Sequence, residues 1–318
     1  ERLDFPQNSH STAEFRMMNN RTTTHHPRLG HEVCRGENLN HLTESQRLSL
    51  RHTLWQHGVV YTRNQHMSAY QLEQFAHKTF GPMMLGDNRY QNNKPELPDE
   101  LISNHVAVLG NPLGPMEKPV EQVAWKWHHD KDALPRIVGL NMNALYIVML
   151  HVHKVPEQDM DGNPHTTEFL DQIEAWRSFE PDRQAQLRKI KLKHFPPMFN
   201  QKQGEDVTTE YPSKAHPLVT EHELTAREGL YMGSDTAIPS GMDSQPEKAC
   251  QFWHQLLDDI LSSCTVYSHH WQEGDIVFWD NSQVMHRGKP YDSRKYQRIG
   301  LRLGVVAREE TALRHQPG

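Results

Sequence analysis

The sequence predicts an α+β fold. Three observations carry that expectation. Capped amphipathic helix signatures lie in the first third, strand signatures joined by tight turns gather in the last third, and no regular β-α-β alternation links them. The 318 residues suit one large domain or two small ones. We expect an irregular N-terminal segment over 1–30, a single domain over 31–310 and a tail over 311–318.

In "LTESQRLSLRHTLWQHG", Thr43 and Gln46 stand in capping-box spacing. Leu48, Leu50 and Leu54 then follow an amphipathic helical pattern that Gly58 closes. "VVYT" (59–62) combines β-branched and aromatic residues and reads as a strand. "SAYQLEQFAHKTFG" repeats the capping box with Ser68 and Gln71 and ends at Gly81. Residues 86–122 are rich in Asn, Pro and Gly and read as a long loop, a kind of segment that commonly carries function. "NALYIVMLHVHKV" (143–155) is the most strand-like stretch in the chain. "TTEFLDQIEAW" and "PDRQAQLRKI" read as short helices, and residues 196–245 as loop-rich. Pro246 opens the helix "PEKACQFWHQLLDDILSS". "CTVYSHHW", "QEGD" and "DIVFWDN" then read as strand, tight turn and strand, and "RIGLRLGVVA" (298–307) as a further strand. No internal repeat is visible.

Composition narrows the function. The formal net charge is -6 with no block of like charge, which argues against a nucleic-acid partner, because phosphate binding needs concentrated Lys and Arg. No apolar run reaches membrane-spanning length, and the first residues lack the apolar stretch of a secretory signal. Cys34, Cys250 and Cys264 are too far apart for a C-x-x-C site, and their odd number suits a reducing compartment. The expectation is a soluble, cytoplasmic protein without a membrane partner.

The stretch "WKWHHDKD" raises the question of metal binding. On a strand, His128 and Asp130 project together and His129 points away. Imidazole and carboxylate suit a divalent transition metal, and one further histidine completes the 2-His-1-carboxylate face of a non-haem Fe(II) oxygenase. Alone, H-x-D is weak, since among 23 histidines about one chance match is expected. The C-terminal "GDIVFWDNSQVMHRGKPYDSRKYQRIGLRLGVV" supplies what is missing. His286 follows a strand, Arg298 lies twelve residues on, and Arg302 four further. Leu301, Leu303 and Val305 share one face of that last strand, while Arg298, Gly300 and Arg302 share the other. Two guanidiniums on an inward face need an acid, and their planar forks hold carboxylates bidentately.

Over roughly residues 30–307 the chain resembles the taurine dioxygenase and aryloxyacetate dioxygenase family of Fe(II)/2-oxoglutarate enzymes. "WHHD" takes the place of the family's W-H-x-D, and "HPLVTEHELTAREGLYMG" is similar to its His-Pro and Leu-Tyr segment. "WQEGDIVFWDNSQVMH" closely matches its Trp-x-x-Gly-Asp-x-x-x-Trp-Asp-Asn-x-x-x-x-His. The resemblance implies a double-stranded β-helix, or jelly roll, with flanking helices. It implies iron on His128, Asp130 and His286, with dioxygen and 2-oxoglutarate as co-substrates. It also implies that Arg298 clamps the distal carboxylate of 2-oxoglutarate. Thr167 is the matching threonine within "DGNPHTTEFLDQIEAW", which is longer than the family's Gly-Gly-Asp-Thr-(Leu)-Phe segment; Thr166 is its rival. Arg302 matches the arginine that meets an anionic substrate, and Trp279 one near the iron. Ala124 stands where an amide is expected for taurine, which argues against taurine itself.

A small amino or carboxylic acid is the favoured substrate, with hydroxylation, desaturation or oxidative cyclisation as outcomes. Sulfonate, phosphonate or aryloxyalkanoate cleavage is the alternative, as are a non-catalytic sensing module of the same fold and a hydrolytic zinc or cupin-type enzyme. The family forms dimers and tetramers, and nothing in the sequence chooses between them. His151 and His153 read as strand histidines among apolar neighbours. "DMDGNP" lacks the glycine of a calcium loop at the sixth position, Leu170 stands where its glutamate belongs, and Cys264 has no paired base in sequence reach. Trp125 and Trp127 suit either a core or a lid.

Overall fold

The structure is a computed structural model that describes residues 22–83, 97–117, 123–130, 145–195 and 215–306. The expected tail and most of the expected N-terminal segment lie outside these residues.

Two short strands, β1 (Thr22–Thr23) and β2 (His31–Glu32), precede the first helix. Helix α1 (Glu44–His57) starts where the sequence predicts. Thr43 accepts the Gln46 backbone N–H, the Gln46 side chain reaches back to Thr43, and the box satisfies helix-end donors that would otherwise be orphaned. Gly58 ends the helix at φ +72°, where a Cβ would meet the Arg28 guanidinium at 2.9 Å. Strand β3 (Val59–Thr62) follows, then α2 (Ala69–Phe80) with the same box built by Ser68 and Gln71.

Within the expected loop 86–122 the described part holds a strand, β4 (Val106–Gly110), at the edge of a sheet. Its run "VAVLG" is apolar but short, and the surrounding Asn and Pro mask it. Strand β5 (Leu145–Lys154) agrees with the sequence. The next stretch does not. Thr166–Asp171 is a strand, β6, and only Gln172–Arg177 is helical, as α3. Every residue of β6 is buried, and it sits between two partner strands, so ladder pairing outweighs the helical look of "EFLDQ". Asp171 marks the switch: its carboxylate caps α3 by accepting the Ile173 and Glu174 N–H groups. Helix α4 (Pro181–Leu187) follows. A short strand, β7 (Lys191–Lys193), comes next, and the described part of the loop-rich region holds further short pieces: β8 (His216–Pro217), β9 (Val219–Glu221), β10 (Glu228–Leu230) and β11 (Ile238–Pro239). Helix α5 (Pro246–Ser263) leads into β12 (Val266–His270), β13 (Ile276–Asp280), β14 (Val284–Gly288) and β15 (Ile299–Val306).

A six-stranded sheet runs β2-β3-β13-β5-β15-β4 and a four-stranded sheet runs β1-β12-β6-β14. The tight turn between β12 and β13 therefore does not close a hairpin; it carries the chain from one sheet to the other. Asp275, fully buried in that turn, accounts for the crossing. Its carboxylate takes Arg63, the His269 ring and the Gln272 N–H, tying the turn to both sheets.

The core is layered. Leu145, Val148 and Val277 from the large sheet pack with Phe169, Tyr267 and Val284 from the small one. The large sheet's other face, with Ile147, Phe278 and Leu301, packs on α1 and α2 through Leu54, Leu72 and Phe75. The small sheet's outer face, with Leu170 and Met285, packs on α3 and α5 through Trp176, Trp253 and Leu256. Strand alternation thus sorts functional side chains by number. Phe169 faces the space between the sheets, so Thr167 shares that side and Thr166 does not. Leu301, Leu303 and Val305 face α2, which puts Gly300 and Arg302 on the side of the inter-sheet space.

Candidate metal centre

His128 and His286 meet as a backbone pair. Each N–H donates to the other's carbonyl, at 3.1 and 3.0 Å, in an isolated antiparallel bridge. That bridge extends β14 by a short segment and brings the two imidazoles to 4.3 Å between ring centres. Asp130, two residues on, returns to the same side. Its carboxylate lies 3.9 Å from His128 Nε2 and 3.4 Å from His286 Nε2. One ligand atom from each of the three lies within 4.8 Å of the others.

The donor set fits a divalent metal. His128 Nδ1 is 2.8 Å from the Lys126 carbonyl, which can only accept, so Nδ1 carries a hydrogen and Nε2 is the nitrogen left to face a metal. Asp130 Oδ2 is buried and has no hydrogen-bond partner among the described residues. Burial alone would raise the Asp130 carboxyl, but Arg302, His286 and His128 hold it down at about 2, so it is a carboxylate. Burial, then His128, pushes His286 well below its ordinary range, which leaves it neutral. Two imidazoles and one carboxylate form a facial set with room for exchangeable ligands.

Asn281 holds this set in place. Its Oδ1 accepts the Asp130 N–H at 2.9 Å, and its Nδ2 donates to the carbonyls of Asp130 at 2.8 Å and Leu145 at 3.1 Å. Next to it, Asp280 is fixed by His222 at 2.9 Å and by the Gln283 amide at 2.7 Å. "WDN" in the sequence flags Asn281 only as part of a motif; its grip on the ligand segment is visible only in three dimensions. Asn281→Ala is expected to lower metal affinity by about 10–100-fold, the usual cost of losing an outer support. Titration of the apoprotein with Co(II), followed by visible absorption, reads that change.

The other residues singled out in the sequence surround the cluster. Trp279 packs on His286 at 4.8 Å between ring centres and on Phe169 at 5.7 Å. The Thr167 hydroxyl accepts the Trp271 indole N–H at 2.9 Å, which leaves its own O–H to donate elsewhere. Arg302 takes an unexpected position, with Nη2 2.6 Å from Asp130 Oδ1, a close ion pair off the hydrogen-bond axis.

Arg298 is 8% exposed, and no carboxylate pairs with it among the described residues. Its backbone, not its guanidinium, is what the protein holds. Asn111 Oδ1 accepts the Arg298 N–H at 2.8 Å, and the Asn111 N–H donates to the Arg298 carbonyl at 3.0 Å. Gly110 makes this approach feasible, since a Cβ there would lie 2.2 Å from the Arg298 oxygen. Burial lowers the Arg298 pKa, and Tyr291 opposes the shift. An arginine buried without a counter-charge is rare and calls for an exogenous anion. Asn111 and Tyr291 were not legible in the sequence, because neither belongs to a motif.

Two packed β-sheets carry two histidines and one carboxylate, gathered on β14 and on the short segment bridged to it, and this is the donor set of non-haem metal oxygenases. The chain belongs to the taurine catabolism dioxygenase TauD, TfdA family, whose model matches residues 19–303. An alpha-ketoglutarate-dependent 2,4-dichlorophenoxyacetate dioxygenase of Cupriavidus pinatubonensis is 28% identical over 175 residues, 52% of this chain and 55% of that protein. Pentalenolactone F synthase of Streptomyces arenae is 23% identical over 218 residues, 62% of this chain and 66% of that protein. The chain spans about half the length of the first curated relatives it matches. Among solved structures, AAD-2 in complex with Mn(II) and N-oxalylglycine superposes with a TM-score of 0.71 at 19% identity, over 90% of this chain and 97% of that one. A taurine dioxygenase from Burkholderia xenovorans gives 0.65 at 19% identity, over 88% and 87%. These neighbours share the jelly-roll fold. No helix among the described residues is long and apolar enough to cross a membrane.

Proposed function

We propose that this protein is an Fe(II)/2-oxoglutarate-dependent oxygenase that oxidises a C–H bond of a small anionic substrate. The observation that carries the reading is Arg298: a buried guanidinium without a carboxylate among the described residues, one position before the strand that brings Arg302 to the three-ligand cluster. His128, Asp130 and His286 would hold the iron. Arg298 would take the distal carboxylate of 2-oxoglutarate, with the free Thr167 hydrogen as a second donor. Iron bound there supplies oxidation by dioxygen coupled to conversion of 2-oxoglutarate into succinate and CO2. The chain's part is positioning and exclusion of water. Trp279 walls the His286 side of the cluster, and Asn281 fixes the ligand segment.

Arg302 supports an anionic substrate. Its guanidinium is already beside the cluster, where an acid group would find it, and an amino or carboxylic acid is the class we favour. The outcome is hydroxylation, desaturation or oxidative cyclisation. The relatives' names favour a second reading, cleavage of an aryloxyalkanoate or a sulfonate.

Anaerobic iron-loaded protein given 2-oxoglutarate should develop a weak visible charge-transfer band that His128→Ala loses. Succinate release should then appear with some member of a panel of amino, carboxylic, sulfonic and aryloxy acids, and release of a phenol or sulfite would select the second reading. Well-folded, iron-bound protein without the band would refute the assignment.

A further inference from the structure

His165 directly precedes β6 and is 4% exposed. Its carbonyl accepts the Trp271 N–H at 3.4 Å, so it links the ends of β6 and β12. Its Nε2 lies 3.1 Å from the Lys289 carbonyl, just beyond β14. A carbonyl only accepts, so Nε2 carries the ring hydrogen and Nδ1 is the one polar atom left over. Nδ1 is buried without a partner among the described residues. The Tyr291 ring stands edge-on at 5.6 Å, and its hydroxyl donates to Asn111 Oδ1, the same oxygen that accepts the Arg298 N–H. The imidazole therefore sits in the cage that holds Arg298. Aligning the segment on Thr167 puts His165 where the family pattern has the second glycine of Gly-Gly-Asp-Thr, so a ring stands where that pattern has none.

A stranded, buried nitrogen costs stability unless a partner arrives. The charges nearby are already matched. Arg287 and Lys289 both pair with Glu168, and on the β12 side His269 pairs with Asp275 while His270 is exposed. That leaves Arg298 and Tyr291 facing the ring. Burial and then the Arg298 charge push His165 down to about 3, against the Lys289 carbonyl, so the ring is neutral beside the unpaired cation. A carboxylate arriving on Arg298 leaves the ring buried but changes what it is buried against. It cancels the repulsion and offers an acceptor to an Nδ1–H.

We propose that His165 is a positioning residue for the co-substrate, taking one proton from solvent as the distal carboxylate binds and donating Nδ1–H to it. This rests on the reading of Arg298 as the clamp for 2-oxoglutarate. Only an N–H bond forms, and nothing is oxidised.

The test is the 2-oxoglutarate Kd of the full chain saturated with Mn(II), measured under nitrogen by calorimetry between about pH 6 and pH 8. Both carboxylates of the ligand are ionised throughout this range. A site neutral when free and protonated when bound weakens by up to about tenfold per pH unit as pH rises. Buffers of different ionisation enthalpy should report uptake of about one proton. His165→Asn keeps an amide at the Nδ1 position without titrating, so it should bind in the same range with a flat pH profile. His165→Gln keeps the Lys289 contact and loses the Nδ1 group, so near pH 6 it should bind about tenfold more weakly than wild type. A flat wild-type profile, a slope that survives in His165→Asn, or wild-type behaviour in His165→Gln would each overturn the proposal. Mn(II)-loaded wild type that fails to bind 2-oxoglutarate at any pH would overturn the functional reading and this inference with it. Binding without the proton would overturn this inference alone.

Discussion

Arg298→Ala is expected to weaken 2-oxoglutarate binding by at least about thirtyfold while leaving the apoprotein as stable as before, or more so. The two halves of this expectation have one cause. Removing one member of a buried charge pair costs about 2–5 kcal/mol, and about 1.4 kcal/mol is a factor of ten in affinity. In the ligand-free protein the pair does not exist, because Arg298 has no carboxylate partner among the described residues. Its desolvation is a cost that alanine removes, so a fall in Tm is not expected. Arg298→Lys should restore little, because an ammonium cannot reproduce the bidentate fork. Thermal melts of the Mn(II)-loaded protein read both halves. Wild type should gain stability with added 2-oxoglutarate by mass action, and Arg298→Ala should gain much less at the same concentration. A large loss of apoprotein Tm in the variant would mean that Arg298 is a structural residue.

Much of this site was legible because its signals are local. Capping boxes at Thr43 and Ser68 define helix starts through groups three residues apart. The period of two in "RIGLRLGVV" sorted Arg298 and Arg302 from Leu301 and Leu303 before any fold was known. What failed was decided by tertiary partners. Strand β6 carries Thr, Glu and Asp and reads as helical, yet Glu168 is neutralised by Arg287 and Lys289, and both neighbouring strands pair with it. The turn "QEGD" reads as a hairpin, but the buried Asp275 network sends its two strands to different sheets. The cage around Arg298 draws Asn111, His165 and Tyr291 from three separate segments, none with a motif of its own. The placement of Arg302 on Asp130 could not be read either, since both residues had been assigned other partners.

That ion pair shapes the effect of Asp130→Asn. The amide is close to isosteric with the carboxylate but carries no charge, so the metal loses its one anionic ligand. Metal affinity should fall by more than the about 10–100-fold that losing an outer support causes. The apoprotein should also lose stability, because Arg302, 17% exposed at its side chain, would lose its carboxylate partner and face an amide. Arg302→Met alone should leave Asp130 without its principal counter-charge, since Arg302 is the foremost group holding that carboxyl down. Combining the two changes removes both charges together. The double variant should therefore be more stable than the sum of the single losses, because neither charge remains buried alone. A stability cycle on metal-free protein isolates this coupling, and the same four proteins titrated with Co(II) separate it from metal binding. If Arg302 only stabilises the apoprotein, Arg302→Met will bind Co(II) as wild type does. If it competes with the metal for Asp130 Oδ1, Arg302→Met will bind Co(II) more tightly, and an anionic substrate that draws the guanidinium away will strengthen metal binding in wild type but not in the variant.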